Sequence, residues 1–262
     1  MRTLFWSFCF SLLPFFTFAQ VIPPGLGKTK MAGWLAVGIQ QDLDTAENTK
    51  WQSVTYLGVA RKSDPDNYNL FAKPAAFILN QEFKNNFSEN WQYSLALSYR
   101  RQNEYSDTAP YDEMDPPLRQ EFRMYGRISY EFKTPIVSIT PTLRQEFRKF
   151  YAPDFESFPE NFQVRSRFRL KFSFPISLDK THRILAFSEQ LFSSSQDSNP
   201  KEWSRFKYKD SRFALYYALS PKEMPFNFNL GYMNNIIASQ PSFSGNYIAL
   251  DVIWKNPFTS TE

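Results

Sequence analysis

The chain has 262 residues, with 30 Lys and Arg against 26 Asp and Glu, a net charge of +4, and a single cysteine. So small a charge does not favour a nucleic acid or an acidic partner. Because the single cysteine, Cys9, lies in a segment that we expect to be removed, a disulfide scaffold and thiol chemistry are excluded.

The first 19 residues have the form of an export signal. Arg2 precedes an apolar run that ends at the small residue Ala19. The run is broken by Pro14 and is too short for a membrane helix, which needs about 20 apolar residues. We therefore expect residues 1–19 to be a signal peptide cleaved after Ala19, which lowers the net charge from +4 to +3 because Arg2 is lost.

The rest of the sequence predicts a series of antiparallel strands. Short turns, such as Lys133-Thr134-Pro135, alternate with longer polar loops at 104–117, 151–160 and 195–204. In outer-membrane barrels the short turns are periplasmic and the long loops extracellular. We place eleven strands, at 31–41, 51–61, 69–83, 91–103, 118–133, 136–150, 161–175, 182–194, 205–220, 225–239 and 246–256.

The number of strands in the wall is open between ten and twelve. With eleven, the first and last strands would run in the same direction, whereas bacterial single-chain barrels have even numbers. Either a short strand lies near Val21–Lys30, which gives twelve, or residues 31–41 lie outside the wall, which gives ten. We favour twelve, with residues 20–30 as an N-terminal segment, 31–258 as the barrel domain and 259–262 as a tail.

Residues 119–133 alternate between charged and apolar side chains with almost no exception. A period of two is that of a strand whose side chains point to opposite faces. Such a run extends roughly 50 Å, which is long for a globular sheet and suits a tilted strand that crosses a bilayer. Similar alternation at 136–150 and 162–174 predicts apolar faces towards lipid and polar faces towards a lumen.

The polar faces of these strands predict a ladder of charges in the lumen. Three roles are open: an ion-pair network that fills a narrow interior, a constriction that favours anions, and a specific site for an anionic ligand. Arg suits the first role because its planar guanidinium pairs with a carboxylate through two hydrogen bonds. The predicted members are Arg119, Glu121, Arg123, Arg127, Glu131, Lys133, Arg144, Glu146, Arg148, Arg165, Arg167, Arg169, Lys171, Glu189, Asp210, Arg212 and Asp251.

The last predicted strand carries a possible assembly signal. The spacing from Tyr247 through Ala249 and Val252 to Trp254 resembles the carboxy-terminal signal read by the bacterial barrel-assembly machinery. That signal normally ends the chain, whereas here further residues follow, of which Phe258 could serve as the terminal aromatic residue.

Catalytic and metal chemistry find little support in the sequence. A lipase would need a serine, such as Ser188 or Ser211, with a histidine beside it at the loop side of the barrel. The single histidine, His182, instead lies beside a predicted periplasmic turn at the other end of its strand. No His/Cys metal spacing and no glycine-rich phosphate loop occur. We expect no turnover, no cofactor and no metal.

Several runs resemble a family of outer-membrane β-barrels of Gram-negative bacteria that is known only as a domain of unknown function. They are LRQEFR…GRISYEF (118–132), LRQEFR (143–148), VRSRFRLKFSFPI (164–176), FSEQLF (187–192), SRFALYYAL (211–219) and FNLGYMNN (228–235). The resemblance covers about 90–258, and it implies a fold and a location without implying an activity.

We therefore predict an all-β fold, an antiparallel up-and-down transmembrane β-barrel in the outer membrane, with a structural or narrow pore-forming role. Its partners would be membrane lipid and the barrel-assembly machinery, with no nucleic acid, and the oligomeric state is open. The alternatives are a secreted soluble β-protein that binds a lipid or a sugar and an outer-membrane lipase-like enzyme. The soluble alternative would bury Phe122, Ile128 and Phe168 rather than expose them.

Overall fold

The computed structural model describes residues 22–44 and 50–258. The predicted signal peptide (1–19) and the tail (259–262) lie outside the described residues. No helix in the described part is long and apolar enough to cross a membrane. The strands are β1 (Met31–Asp42), β2 (Trp51–Lys62), β3 (Lys73–Asn86), β4 (Trp91–Tyr105), β5 (Glu113–Tyr130), β6 (Phe132–Lys133), β7 (Ser138–Tyr151), β8 (Ser157–Pro175), β9 (His182–Asp197), β10 (Lys207–Leu219), β11 (Phe226–Ile237) and β12 (Phe243–Lys255).

The strands form one sheet that closes on itself. Each long strand pairs with its neighbour in sequence, and β5 pairs with β7 past the two-residue β6. The ring closes between β1 and β12, which run parallel from the pair Met31–Asn246 to the pair Gln40–Lys255. All other pairs of neighbouring strands are antiparallel. The wall is therefore an up-and-down barrel of eleven long strands.

The predicted range of ten to twelve strands is confirmed, but both proposed ways of avoiding a parallel pair are wrong. Residues 31–42 lie in the wall, and Ile22–Lys30 do not form a strand. The twelfth strand is β6, a short extension of the β5–β7 hairpin. With eleven long strands, the first and last must run in the same direction, and a parallel ladder satisfies their backbone hydrogen bonds without a further strand.

The connections at the two ends of the barrel overlap in length: 176–181 at one end has six residues, and 152–156 at the other has five. At one end, here the turn end, β3–β4, β5–β7, β8–β9 and β10–β11 are joined by connections such as 87–90 and 176–181. At the other, the loop end, connections include 63–72 and 198–206. In the turn after β8, the pKa of the exposed Asp179 carboxyl is lowered by hydrogen bonds from Ser177 and Thr181.

Side chains along each strand alternate between the two faces of the wall. On β5, Glu121 and Tyr125 are buried, whereas Phe122 and Met124 are about half exposed. The barrel is a single layer, and none of the described residues forms a second layer outside it, so a buried strand side chain is one that points inwards. The strands that sequence alternation predicted are thus long and two-faced, with the charged face inside.

Candidate functional site: the barrel interior

The N-terminal segment, residues Ile22–Lys30, runs inside the barrel before β1 begins. Arg100 of β4 donates from Nη2 to the backbone oxygen of Gly25 at 2.7 Å. Lys62 of β2 donates from Nζ to the backbone oxygen of Leu26 at 3.1 Å. Two strands thus hold the segment through its carbonyls, which would otherwise be buried without partners.

Leu26 is the apolar anchor of this segment. It is only 2 % exposed and packs in a cluster that includes Trp34, Met233 and Tyr247. Its backbone N–H donates to the Tyr247 hydroxyl oxygen at 3.2 Å, across 221 positions of sequence. Thr29 closes the turn into β1, because its hydroxyl donates to the backbone oxygen of Ser63 at 2.9 Å. The segment is therefore part of the packed interior and fills the loop end of the barrel.

Glu121 is the centre of one buried ion-pair group. Arg148 forms a two-pronged contact with it, Nε to Oε1 at 2.8 Å and Nη2 to Oε2 at 2.6 Å. Arg123 approaches Oε1 at 2.6 Å, and Arg100 lies close enough to act electrostatically on the same carboxylate. One buried carboxylate thus compensates several guanidinium groups, and each side of the contact depends on the other.

Glu146 and Glu189 extend the network around the wall. Glu146 is fully buried and forms ion pairs with Arg144 at 2.7 Å and with Arg167 at 2.8 Å. Arg167 also reaches Glu189 at 3.3 Å, and Arg169 lies 3.9 Å from the same carboxylate. These contacts link the neighbouring strands β7, β8 and β9 on the inner face of the wall.

Tyr125 joins the network through its ring. The guanidinium carbon of Arg144 lies 3.6 Å from the ring centroid, and that of Arg127 lies 5.1 Å from it. The Tyr125 hydroxyl donates to Asn80 at 3.0 Å and accepts from Arg127 at 3.2 Å. A buried tyrosine between two arginines gains cation–π attraction as well as hydrogen bonds.

The remaining predicted members of the ladder lie at the edges of this network or apart from it. Glu131 and Lys133 pair at 3.6 Å at the turn end, where both side chains are about one-third exposed. Arg165 has no ion-pair partner within the described residues. The outer pairs at the loop end are Arg119 with Glu104 at 3.0 Å and with Glu160 at 3.2 Å, and Arg212 with Asp210 at 3.1 Å.

Several interior residues are absent from the predicted ladder. Glu82 of β3 is 3 % exposed and pairs with Arg127 at 3.2 Å, and Lys84 on the same strand is 7 % exposed. The sequence does contain the alternation that would have indicated them, because Asn80, Glu82 and Lys84 alternate with the outward Leu79 and Phe83. The burial of the N-terminal segment left no comparable pattern in the sequence.

The four residues of the predicted assembly signal lie on both faces of β12. Tyr247 and Ala249 are fully buried and face inwards, whereas Trp254 is 43 % exposed on the outside and Val252 is half-buried. Tyr247 also holds Leu26, so this position has a packing role of its own.

The described residues do not bring His182 together with the serines considered for a lipase. The ring Nδ1 of His182 lies 2.5 Å from the Tyr217 hydroxyl at the turn end. Ser211 instead bonds Gln190 and Tyr208, and it lies eight register pairs along β10 from the strand position of His182. In the described part of the chain, no three His, Cys, Asp or Glu side chains come together to hold a metal ion.

No protein-family model matches this sequence, and no curated protein has significant similarity to it. The resemblance to a family of outer-membrane barrels therefore stays a prediction, and the site must be interpreted from its own geometry.

Proposed function

We propose that the protein is an outer-membrane β-barrel with a charge-packed, closed interior, which acts as a structural element of the membrane and not as an enzyme. The observation that carries this proposal is the pattern of the outer surface. A belt of exposed aliphatic side chains runs around the barrel between two rings of aromatic residues, as in barrels that sit in a bilayer.

The belt consists of large apolar side chains that stay exposed among the described residues. Leu95 and Leu97 are 63 % and 65 % exposed, and Leu143 is 54 % exposed. A soluble monomer rarely exposes a continuous apolar surface larger than several hundred Å². This belt therefore favours lipid over water as the surrounding solvent, and it disfavours the secreted soluble alternative.

Aromatic side chains border the belt at both ends. At the turn end, Trp91 contacts Tyr130 with a ring separation of 4.9 Å. At the loop end, Tyr99 contacts Phe122 with a ring separation of 5.2 Å. Trp91 and Tyr99 lie eight residues apart on β4, which is roughly 26 Å along the strand. With the usual tilt, the enclosed height is roughly 20 Å, close to the apolar band of an outer-membrane barrel.

The interior supports a closed barrel better than an open pore. The N-terminal segment fills the loop end, ion pairs join nearby strands around the middle, and two of the cavities, one central and one at the turn end, measure about 40 Å³ and about 80 Å³. A hydrated ion needs a continuous path, and these cavities hold only a few water molecules each. We therefore propose that the barrel does not conduct in this conformation.

The location is tested by fractionation. The protein should stay with carbonate-washed outer membranes, and unboiled samples should migrate differently from boiled ones on SDS gels. The membrane lipid and the barrel-assembly machinery are the partners that this location implies. Recovery in the soluble periplasmic or extracellular fraction, with no heat-dependent shift in migration, would contradict the proposal.

The closed interior is tested by planar-bilayer recording of the purified protein. We expect no regular conductance steps over many insertions. A narrow anion-selective pore is the second candidate, because bases outnumber acids on the inner face of β8. Anion-selective steps that weaken in Arg165→Glu would favour that pore and contradict the closed barrel.

A further inference from the structure

The cavity at the turn end has a lining that nothing in the proposed structural role requires. It measures about 80 Å³ and is lined by residues of β3, β4, β5, β7, β8 and β9. Four cationic side chains line it, Lys84, Arg127, Arg169 and Lys171. None of the described residues that line it is acidic. Such a concentration of positive charge in a confined space is costly unless anions compensate it.

The protein's own carboxylates compensate this charge only in part. Arg127 pairs with Glu82 at 3.2 Å, but Arg169 is 3.9 Å from the nearest oxygen of Glu189. Neither lysine has a carboxylate oxygen within 4.0 Å among the described residues. The acids that act on Lys84 and Lys171, Glu82 and Glu131, do so from beyond ion-pair distance.

Polar atoms without partners point to a missing ligand in the same place. Lys84 is more than nine-tenths buried, with 7 % of its surface exposed. The hydroxyl of Thr140 is buried without a hydrogen-bond partner in the described structure, as are the Nε groups of Arg127 and Arg169. Native proteins seldom leave such donors unsatisfied, and a site with several of them commonly holds an ion or ordered water.

We propose that this cavity binds one free tetrahedral oxyanion of the phosphate or sulfate class. Two ammonium groups, two guanidinium groups and the Thr140 hydroxyl supply charge-assisted donors from different sides, which suits an anion with four oxygens. On the loop side, Ile22, Pro23 and Pro24 of the N-terminal segment line the adjoining cavity, which shares Lys84, Arg127 and Arg169 with this one. Because this segment lies on the loop side, we expect the anion to enter from the turn end.

The test is calorimetric titration of inorganic phosphate into the purified barrel folded in detergent, at constant ionic strength. We expect saturable binding of one phosphate per chain and a higher thermal midpoint in its presence. Lys84→Gln and Lys171→Gln should each weaken binding by about tenfold, the usual effect of one charge-assisted hydrogen bond. The matched control is Lys209→Gln, a half-buried lysine of β10 near the loop end, which should leave the affinity unchanged.

A second variant keeps the test decisive if the lysine variants fold poorly. Thr140→Val keeps the shape of the side chain and removes only the hydroxyl. It should weaken phosphate binding while raising the thermal midpoint of the phosphate-free protein, because a buried unpaired hydroxyl is lost. Absence of saturable binding, or equal affinity in folded Lys84→Gln, Lys171→Gln and Thr140→Val, would overturn the inference. The inference does not depend on the proposed location, since fractionation and titration are measured independently.

Discussion

Trp34 and Asp251 join the two ends of the barrel wall. The indole Nε1 of Trp34, on β1, donates to Oδ1 of Asp251, on β12, at 3.1 Å. Both side chains are buried, and the two strands form the parallel pair that closes the sheet. Parallel pairs are slightly less stable per residue than antiparallel ones. A buried side-chain hydrogen bond between these two strands therefore stabilises the closure of the barrel, which is its one parallel pair among the described strands.

The first prediction concerns this closure. Trp34→Phe keeps an aromatic ring but removes the N–H, so the buried carboxylate of Asp251 loses one donor. We expect a loss of about 1–3 kcal/mol in the free energy of unfolding. Urea titration of protein refolded in detergent would measure it. Trp51→Phe, on the exposed face of β2, is the control and should change stability by less than about 0.5 kcal/mol. Equal effects of the two changes would argue against a role for the bond.

The second prediction concerns Glu121. Glu121→Gln keeps the shape of the side chain and removes the charge that compensates Arg123 and Arg148. Leaving buried charge unpaired typically costs about 3–5 kcal/mol. The urea midpoint should fall accordingly, whereas Glu113→Gln, at the exposed start of β5, should have no effect. A neutral Glu121→Gln would refute the packed interior.

The sequence was informative about the strands because their two faces differ along their whole length. In 119–133, charge alternates with apolar side chains, and both the strand and its inward face follow from that period. The parallel closure could not be predicted in this way, because it depends on how β1 and β12 meet and not on either sequence alone. The charges could be assigned to the interior, but which acid pairs with which base depends on register and side-chain conformation.

The burial of the N-terminal segment could not be predicted from the sequence either. Pro24, Gly25 and Gly27 are typical of a loop, and nothing near them in sequence indicates burial. The position of Leu26 is determined by Tyr247 and Lys62, which are distant in the chain. Local patterns therefore predicted the long strands of the wall, and they left its parallel closure and the contents of its loop end unknown.

The third prediction concerns a glycine that an aromatic ring covers. A Cβ on Gly231 would lie 2.2 Å from Cδ1 of Tyr216, its register partner on β10. Gly231→Ala should therefore overpack the interior and cost about 1–3 kcal/mol. The control is Gly126→Ala, where the nearest atom to a new Cβ, in Leu95, lies 3.5 Å away. That change should be neutral or stabilise by up to about 1 kcal/mol, because it restricts the unfolded chain.

A double-mutant cycle with Tyr216 tests whether the aromatic ring causes the loss of stability in Gly231→Ala. In a Tyr216→Ala background the ring is absent, so Gly231→Ala should lose most of its cost in a double-mutant cycle. Urea midpoints of the four proteins would give the coupling energy. An undiminished cost without the ring would show that Gly231 is required for its backbone and not for the space above it.

The fourth prediction concerns the outer belt, and it depends on depth in the membrane. Leu95 lies midway between Trp91 and Tyr99 on β4 and is 63 % exposed, whereas Phe122 belongs to the loop-end ring beside Tyr99 and Tyr151. An arginine facing lipid costs about 2–4 kcal/mol at the midplane and about 0–1 kcal/mol near the interface. Leu95→Arg should therefore lower the urea midpoint in lipid vesicles strongly, and Phe122→Arg only slightly. A soluble barrel with the same exposed face would tolerate both changes equally, since arginine on a water-exposed surface has little cost.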